Sequence, residues 1–512
     1  MKPRTTPISP TPGQIPANPQ MNATTESCPS GRRALLGLED SSFGEVGDGI
    51  PVPFMRPSVA ASTLSSMHST HDLFEFPGDL GGCRAVVMGL GRFGGGLAAT
   101  RHLARRGAKV LATDLGTADH LGLAVEPLQE LGVRLRLGEH RIDDFENADL
   151  VIVNPAVPRP WSNPFLEAAR AGGARFLTEI RLAIGDRPAH HLIGITGTAG
   201  KSTTAAMVHH ALRRVRPDLD CHLSGNIGGS LLDAPPPKDS SVVFELSSFM
   251  LHWLAGDGGD PEDRATPGLA AITNIAPNHL DWHEAADHYA TCKRAISLST
   301  PTCKSPRLLP AEDPTVDASI EPGLRLLVPG EHNRRNARLA IRLAFEHVRL
   351  RSGRENPQGL LEEITDSLSD FPGLPHRLAS LGRINGVHAY DDSKSTTPEA
   401  TCLAVEAFEE TERIHLIAGG YDKQADLAAI TALAPRLAGL HAIGATGAAL
   451  ISEGGTYHGT LEVAVDAVMS VAHPGDVILL SPGCASWDQF ANYEARGASF
   501  AQALERHRTR PS

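Results

Sequence analysis

The residues best suited to chemistry form a glycine-rich loop at Gly194–Ser202, with the sequence GITGTAGKS. The loop follows the apolar run HHLIGIT and precedes TTAAMVHHALRR, a stretch with helical periodicity. Such loops hold phosphates with backbone N–H groups and with the N-terminus of the following helix. We expect Lys201 to reach the β- and γ-phosphates of a nucleotide and the Ser202 hydroxyl to ligate Mg²⁺. Ile195 stands where the strict pattern has its first glycine, so the loop is a variant of that pattern.

Further candidate metal ligands follow later apolar runs. Glu245 ends the run SVVFE, and an acid at the carboxyl end of a strand beside a phosphate loop lies where a Mg²⁺ ligand is expected. His279, in the segment NHLDWH, could ligate a second Mg²⁺ or orient a substrate phosphate, although a lone histidine is more often structural. Lys293 falls on the helical stretch AADHYATCKRAISL that comes next.

A second glycine-rich loop lies nearer the N-terminus, at Gly89–Gly94. It follows the run RAVVM, and Asp114 stands twenty residues beyond Gly94. That spacing matches the dinucleotide-binding fingerprint, which by itself favours NAD. The same architecture can hold any nucleotide diphosphate with its pyrophosphate at the helix N-terminus, or the glycines could serve only the packing of helix on strand.

Short apolar runs that alternate with amphipathic stretches must position these loops, and this alternation is typical of parallel α/β units. One helical face carries Met207, Val208, Ala211 and Leu212. We predict strands at Arg84–Met88, Lys109–Thr113, Leu150–Val153, Leu192–Thr196, Val242–Glu245, Leu269–Asn274, His388–Asp391, Ile414–Ala418 and Val477–Ser481.

Proline and glycine near Gly185–Pro188 and at Phe371–Pro375 indicate two boundaries. They predict a Rossmann-like domain over 79–187, a central P-loop ATPase-like domain with a parallel sheet over 188–373, and a Rossmann-like domain over 374–512. Residues 1–78 are rich in Pro, Ser and Thr without a sustained period, so we expect a disordered extension. It could be a regulatory arm, or the product of a start codon placed too early, with Met21, Met55 and Met67 as later candidates.

Composition excludes several classes of function. The chain has 512 residues, 5% aromatic residues and a net charge of −12, which makes a nucleic-acid partner a poor expectation. No apolar run is long enough for a membrane span, and the N-terminus lacks the apolar core of a secretory signal. Seven cysteines without C-x-x-C spacing indicate reduced thiols. We therefore expect a cytoplasmic enzyme without a nucleic-acid or membrane partner. We also expect it to be a monomer, although composition does not determine the oligomeric state.

Taken together, these motifs resemble those of the Mur ligase family, ATP-dependent ligases that add amino acids to the UDP-muramoyl peptide precursor. GITGTAGKSTT is similar to the phosphate loop of that family, and ELSSF, NHLDWH, GEHNRRNA and GLPHR follow in the order of the family's later blocks. In the third domain, DDSKST, GGYDK and LLSPGCASWDQFANYEARG resemble the members that add D-glutamate. The resemblance covers roughly residues 80–505.

The resemblance implies a role for each matching residue. ATP would be bound by Gly197, Thr198, Gly200, Lys201, Ser202, Thr203, Asn333, Asn336, Arg377 and Asp392. Two Mg²⁺ ions would be held by Ser202, Glu245, His279 and Lys293, the last as a carbamate made from CO₂. The UDP-linked substrate would be bound by Gly91, Arg92, Phe93, Asp114 and Asn226. D-glutamate would be bound by Lys394, Thr396, Lys423 and Ser486, with Tyr493 nearby. The catalytic residues would be Lys201, His279, Lys293 and Lys394.

The implied reaction adds D-glutamate to UDP-N-acetylmuramoyl-L-alanine through an acyl phosphate made from ATP. Three alternatives stay open at this point. The chain could be a related ligase for another amino acid or a folylpolyglutamate synthase, although the lysines at 394 and 423 favour a dicarboxylate amine. It could be an NAD-dependent oxidoreductase built on the first loop, which would leave Lys201 unexplained. It could also be a noncatalytic ATP-binding regulator.

Overall fold

The structure, a computed structural model, describes residues 79–91, 94–352, 357–452 and 454–508. The predicted extension over residues 1–78 lies outside the described residues, as do Arg92 and Phe93 of the first glycine-rich loop. Within the described ranges the chain forms three β-sheets with helices between the strands. Each sheet falls inside one of the three predicted ranges, and the predicted α/β class is confirmed.

The first sheet is parallel, with strand order β3-β2-β1-β4-β5. Its strands are β1 Arg84–Met88, β2 Lys109–Asp114, β3 Arg134–Leu137, β4 Leu150–Val153 and β5 Arg175–Leu177. The helices are α1 Gly95–Arg105, α2 Ala118–Leu121, α3 Glu126–Glu130, α4 Ile142–Glu146, α5 Pro164–Ala171 and α6 Glu179–Ile184. The strand order reverses beside β1, so the first glycine-rich loop lies at the crevice where doubly wound sheets bind ligands.

The second sheet is also parallel, with strand order β10-β9-β6-β8-β7. Its strands are β6 Leu192–Thr196, β7 His222–Gly225, β8 Val242–Glu245, β9 Leu269–Ile272 and β10 Arg307–Leu309. The helices are α7 Lys201–Val215, α8 Ser248–Leu254, α9 Leu280–His283, α10 Ala286–Arg294, α11 Pro314–Ile320, α12 Glu331–Ser352 and α13 Pro357–Asp366. The phosphate loop, Glu245 and the segment before His279 therefore follow three adjacent strands at one edge of this sheet.

The third sheet is mixed, with strand order β11-β12-β16-β13-β14-β15. Its strands are β11 Ala379–Ile384, β12 Val387–Asp391, β13 Ile414–Gly419, β14 Gly439–Ile443, β15 Thr456–Gly459 and β16 Val477–Leu480. Only β11 among them is antiparallel, joined to β12 by the turn Asn385-Gly386, where both residues have positive φ. The helices are α14 Pro398–Glu406, α15 Ala428–Thr431, α16 Leu461–Val471 and α17 Tyr493–Glu505.

Apolar side chains cover both faces of the first sheet. Ala85 and Val87 of β1 belong to one buried cluster, whereas Val86 and Met88 belong to another. Because successive side chains of a strand point to opposite faces, the sheet is buried on both sides, as parallel sheets are. Among the residues that the structure describes, no helix combines the length and apolar character needed to cross a bilayer.

The predicted strands are confirmed to within two residues at each end. The largest difference is at β9, which ends at Ile272 and not at Asn274. The Thr273 N–H still donates to the Thr196 carbonyl oxygen at 2.8 Å, and the Thr273 hydroxyl also donates to the carbonyl oxygens of Thr196 and Ala199, which binds this turn to the phosphate loop. The predicted helical face is also confirmed, since Met207, Val208, Ala211 and Leu212 are all buried in α7.

Candidate active site

At two positions, Gly197 and Gly200, the phosphate loop has a backbone conformation that residues with a side chain rarely adopt. Gly197 has φ +147° and lies so close to the Thr273 hydroxyl that a Cβ atom would overlap it. Gly200 has φ +81°, and a Cβ atom there would lie 2.5 Å from Oδ1 of Asn336. Helix α7 begins at Lys201, directly after the loop, so the N–H groups of its first turn point at the loop's mouth. This arrangement provides the anion site that the sequence predicts.

Lys201 is half-buried over the loop, and its Nζ donates to the Thr198 carbonyl oxygen at 3.0 Å. Burial lowers the pKa of Lys201, and the negative charge of Glu245 raises it. The positive charge of Arg377, which lies in the part of the chain that contains the third sheet, lowers it further. Two cations and one carboxylate therefore lie close enough to influence one another around the loop. A polyphosphate bound there would relieve the repulsion between the two cations.

Glu245 has one carboxylate oxygen without a partner. The side chain is buried, with 1% of its surface exposed. Its Oε1 accepts a hydrogen bond from Nδ2 of Asn226 at 3.3 Å, whereas Oε2 is buried with no hydrogen-bond partner in the described part of the chain. A buried, unpaired carboxylate oxygen is costly unless a cation binds it. Glu245 beside a phosphate loop therefore fits a Mg²⁺ ligand, and Asn226 orients it.

Lys293 is a buried lysine at the same place. Its Nζ donates to the Gly197 carbonyl oxygen at 2.8 Å and lies 4.6 Å from the centre of the Tyr289 ring. Burial and, to a smaller extent, the nearby Lys201 lower its pKa to about 7, against Cys292 and Glu245, which raise it. A large fraction of this amine is neutral at physiological pH, which is the form that reacts with CO₂.

His279 lies exposed at the start of α9 with φ +52°. Its ring is 5.0 Å from the ring of Phe249 and 6.4 Å from that of Tyr289. The Tyr289 hydroxyl is 2.9 Å from the Thr198 hydroxyl. Tyr289 therefore connects His279 and Lys293 to the phosphate loop, and this tyrosine is a site residue that the sequence analysis missed.

A cavity of about 700 Å³ opens beside the phosphate loop, between the part of the chain that contains the second sheet (the central unit) and the part that contains the third sheet (the third unit). Seven of the predicted nucleotide and amino-acid residues line it, namely Gly200, Thr203, Asn333, Asn336, Arg377, Asp392 and Lys394. His332, Glu312 and Leu403 also line it, and the sequence motifs gave no role to these three residues. The volume and the mixed polar and apolar lining suit a nucleotide.

Asp392 and Lys394 face the cavity from the loop after β12. Asp392 accepts hydrogen bonds from the Leu378 N–H at 3.0 Å and the Ser481 hydroxyl at 2.8 Å, and burial raises its pKa to about 6. The Nζ of Lys394 lies 5.2 Å from the centre of the Tyr493 ring. Burial lowers the pKa of Lys394, and Arg377 lowers it further.

Lys423 and Ser486 lie on two loops that contact each other. The Tyr421 N–H donates to the Ala485 carbonyl oxygen at 2.8 Å, and the Nζ of Lys423 lies 4.9 Å from the centre of the Trp487 ring. Lys423 is exposed and Ser486 is buried. Lys394 lines the cavity and Lys423 does not. The predicted D-glutamate residues therefore form two separate groups. Lys394 lies beside Tyr493, and Lys423 lies beside the loop that carries Ser486. Thr396 lies half-buried, two residues after Lys394.

Comparison with known proteins decides the family. Two family models match the chain, the Mur ligase middle domain over residues 195–336 and the Mur ligase glutamate ligase domain over residues 376–484. A UDP-N-acetylmuramoylalanine–D-glutamate ligase from Acidobacterium capsulatum is 32% identical over 485 residues, covering 84% of this chain and 98% of the relative. The chain belongs to the Mur ligase family.

A second relative gives the same assignment. A UDP-N-acetylmuramoylalanine–D-glutamate ligase from Anaeromyxobacter dehalogenans is 34% identical over 469 residues, covering 82% of this chain and 97% of that protein. The alignments cover 98% and 97% of these two relatives, so this Mur ligase shares nearly their whole length and not only their ATP-binding part. The resemblance that the motifs predicted is confirmed.

Arg496 of α17 is a buried residue of this Mur ligase that the sequence analysis missed. Its guanidinium donates to the carbonyl oxygens of Ser393 at 2.9 Å, Cys484 at 3.0 Å and Ala485 at 3.2 Å. Burial lowers its pKa to about 10. It therefore connects the loop that carries Lys394 to the loop that carries Ser486. The motif EARG gave no sign of this role, because it depends on contacts distant in sequence.

The first glycine-rich loop of this Mur ligase is held by Asp114. The Asp114 carboxylate accepts hydrogen bonds from the N–H groups of Leu90 at 2.8 Å, Gly91 at 3.3 Å and Gly116 at 2.8 Å. An acid that binds the ribose hydroxyls of NAD would instead need free oxygens facing the crevice. Asp114 therefore binds the backbone at Leu90, Gly91 and Gly116, and its role towards the substrate stays a prediction.

Proposed function

We propose that this Mur ligase adds D-glutamate to UDP-N-acetylmuramoyl-L-alanine with cleavage of ATP. The proposal is supported above all by the unpaired Glu245 oxygen and the buried Lys293 amine beside a phosphate loop that opens on a nucleotide-sized cavity. The names of the relatives agree with it. The product would enter peptidoglycan synthesis, and through it cell-wall formation, cell shape and cell division.

The nucleotide would bind across the cavity. Lys201 and the N–H groups of the phosphate loop would hold the β- and γ-phosphates, while Asn333, Asn336 and Asp392 would surround the adenosine. Arg377, contributed by the unit of the third sheet, would contact the phosphates when the nucleotide is bound. Catalysis of phosphoryl transfer then consists mainly of positioning and charge neutralisation.

Two Mg²⁺ ions fit the donors that surround the loop. Ser202, Glu245 and His279 would hold them together with Lys293, once its neutral amine has attacked CO₂ and lost a proton to give a carbamate. The carbamate would place an anion beside the Lys201 ammonium, and the attraction between the two charges favours it. When bound, Mg²⁺ would neutralise the charge that develops on the transferring phosphoryl group.

The reaction then has two steps. An oxygen of the alanine carboxylate attacks the γ-phosphorus of ATP, and ADP leaves, which gives an acyl phosphate. The neutral amine of D-glutamate attacks the acyl carbon, and the tetrahedral intermediate expels inorganic phosphate with loss of a proton. Lys394, Thr396, Lys423 and Ser486 would bind the two carboxylates of D-glutamate and aim its amine, with Tyr493 packed against Lys394.

The UDP-linked substrate would bind at the first sheet. Gly91, Arg92, Phe93 and Asp114 would form the uridine diphosphate site, and Asn226 would contact the muramoyl end of the substrate. We place the domains at 79–187, 188–373 and 374–512, with the extension over 1–78. We further propose that the enzyme works as a monomer in the cytoplasm, without a nucleic-acid or membrane partner.

The proposal is tested by measuring phosphate release from the purified protein with ATP, Mg²⁺, UDP-N-acetylmuramoyl-L-alanine and a panel of amino acids. We expect release only when both the UDP-linked substrate and D-glutamate are present, with little release for L-glutamate, L-alanine or a diamino acid. Equal release with L-glutamate, or release that needs no amino acid, would contradict the proposal. A pteroate substrate in parallel reactions tests the folylpolyglutamate alternative.

A further inference from the structure

Two histidines and a cysteine converge next to the active site without belonging to it. His252 lies on α8, and His288 and Cys292 lie one turn apart on α10. One donor atom from each of the three lies within 4.8 Å of the other two. His252 and Cys292 are buried and His288 is half-buried. None of the three has a role in the ligase reaction proposed above.

The distances between the donors suit a tetrahedral metal ion. The Cys292 Sγ lies 3.4 Å from Nε2 of His288 and 4.0 Å from Nδ1 of His252. With metal–sulfur and metal–nitrogen distances of about 2.3 and 2.0 Å, the donors of a tetrahedral zinc site lie roughly 3.3–3.6 Å apart. The Cys292–His288 distance falls in that range, and the Cys292–His252 distance is about half an ångström longer.

A neighbouring carbonyl group favours the tautomer that a metal would need, although the Nδ1 of His288 also lies 3.2 Å from the Nδ1 of His283. The Nδ1 of His288 lies 3.2 Å from the carbonyl oxygen of His283 and can donate its proton there. Nε2 of His288 then keeps its lone pair, and this is the nitrogen that faces Cys292. Histidine ligands of metal sites usually make this second hydrogen bond, which sets the orientation of the ring.

We propose that His252, His288 and Cys292 bind one zinc-type divalent ion. Two imidazoles and a thiolate form a donor set that zinc and its neighbours in the first transition row prefer, whereas Mg²⁺ prefers oxygen ligands. Three protein ligands leave a fourth position for water or another small ligand. The exposed Asp257 lies close enough to both His252 and Cys292 to affect them electrostatically, and its charge favours a dication.

The site would fix the helix that carries Lys293. A bound ion ties α8, which follows the Glu245 strand, to α10, whose next residue after Cys292 is Lys293. Trp161 of the first sheet's unit covers the site, with its ring 5.0 Å from that of His288. The ion would therefore fix α8 and α10 relative to each other, with Trp161 packed against the His288 ligand.

The test is a Co²⁺ titration of the full-length protein after EDTA treatment, in the presence of excess Mg²⁺. Co²⁺ bound to a thiolate gives a sulfur-to-cobalt charge-transfer band in the near ultraviolet and strong visible bands when tetrahedral. We expect both bands to saturate at one Co²⁺ per chain and to vanish when Zn²⁺ is added. Because the phosphate-loop site offers no sulfur, Co²⁺ bound there cannot produce the charge-transfer band.

Variants test whether the Co²⁺ bands come from this site and not from another metal site in the protein. Cys292→Ser should lose the charge-transfer band, and His288→Gln should weaken Co²⁺ binding at least tenfold. Cys402→Ser, at a half-buried cysteine elsewhere, should leave both unchanged. No thiolate band in the unaltered protein, or an unchanged band in folded Cys292→Ser, would overturn the proposal. If Cys292→Ser does not fold, unchanged binding by His288→Gln, with folding checked by circular dichroism, would overturn it equally.

Discussion

The chemistry of this Mur ligase centres on charges that are buried before any substrate arrives. Lys293 is 2% exposed, and among the described residues the Glu245 Oε2 beside it has no hydrogen-bond partner. Burying single charges in this way is costly. In the mechanism that we propose, a carbamate, metal ions and phosphates would relieve that cost when they bind together.

The carbamate at Lys293 can be tested by chemical rescue. Lys293→Ala should lose most of the ligase activity, because it removes one metal ligand and leaves a cavity. Added acetate or formate should restore part of the activity by placing a free carboxylate there. Phosphate release with increasing acetate measures this. Lys201→Ala serves as the control, since a carboxylate cannot replace its cation, and acetate should not rescue it.

The carbamate should also depend on pH in a defined direction. The pKa of the Lys293 amine is lowered to about 7, so the ammonium form prevails below that pH and has no lone pair to attack CO₂. We expect a carbamate signal in ¹³C NMR spectra with ¹³CO₂ at pH 8, falling towards pH 6. A signal that stays constant over this range, or that persists in Lys293→Ala, would contradict the assignment to this lysine.

At the scale of elements, the phosphate loop depends on the turn after β9. Gly197→Ala should reduce ATP binding at least tenfold, because the new methyl group would push the loop away from Thr273. Gly132→Ala is a matched control, since Gly132 also has positive φ but open space around it. The control should cost only about 1 kcal/mol of stability and leave ATP binding unchanged. Isothermal titration with ATP distinguishes the two.

Arg496 should act as a positioning residue for the amino-acid loops. Arg496→Lys keeps the charge but cannot bind three carbonyl oxygens at once, so we expect the KM for D-glutamate to rise about tenfold while the KM for ATP changes little. Arg506→Lys, near the exposed end of the same helix, is the control. A general loss of stability that changed both KM values alike would show that Arg496 serves only folding.

In the described part of the chain, the sequence predicted nine of the ten interior strands, missing β14, and it predicted none of the six edge strands. Strands such as β1, β6 and β8 are continuous apolar runs because neighbours cover them on both sides and both faces. Edge strands such as β3, with the sequence RLRL, and β15, with TYHG, have one free side and carry polar residues there. Their composition therefore resembles that of loops.

The sequence predicted those residues of the site that belong to motifs of a few consecutive residues. Glu245 ends β8, and Lys201 lies in the segment that follows β6. Because β6 and β8 are neighbours in the sheet, the two side chains lie close together. The contacts of Arg496 and Tyr289 join segments that are far apart in the chain, and no local pattern encodes them. The unpaired Oε2 of Glu245 is likewise a property of the packed structure and not of the sequence.

At the scale of the whole molecule, the first and second sheets share a core, whereas the third has its own. One apolar cluster runs from Leu80 through Val242 to Ile296, and the Arg175–Asp263 ion pair joins the same two units. The apolar clusters of the third sheet contain only residues from 378 to 504. The nucleotide-sized cavity lies between them and the second sheet, where the Tyr390 hydroxyl also donates to the Leu327 carbonyl oxygen at 3.1 Å.

One isotope measurement tests the central claim directly. UDP-N-acetylmuramoyl-L-alanine labelled with ¹⁸O in the alanine carboxylate is incubated with ATP, D-glutamate and the protein, and the released phosphate is analysed by mass spectrometry. Ligation through an acyl phosphate predicts one ¹⁸O atom in each phosphate released, together with a product one glutamyl residue heavier. Unlabelled phosphate, or phosphate released without that product, would contradict the account.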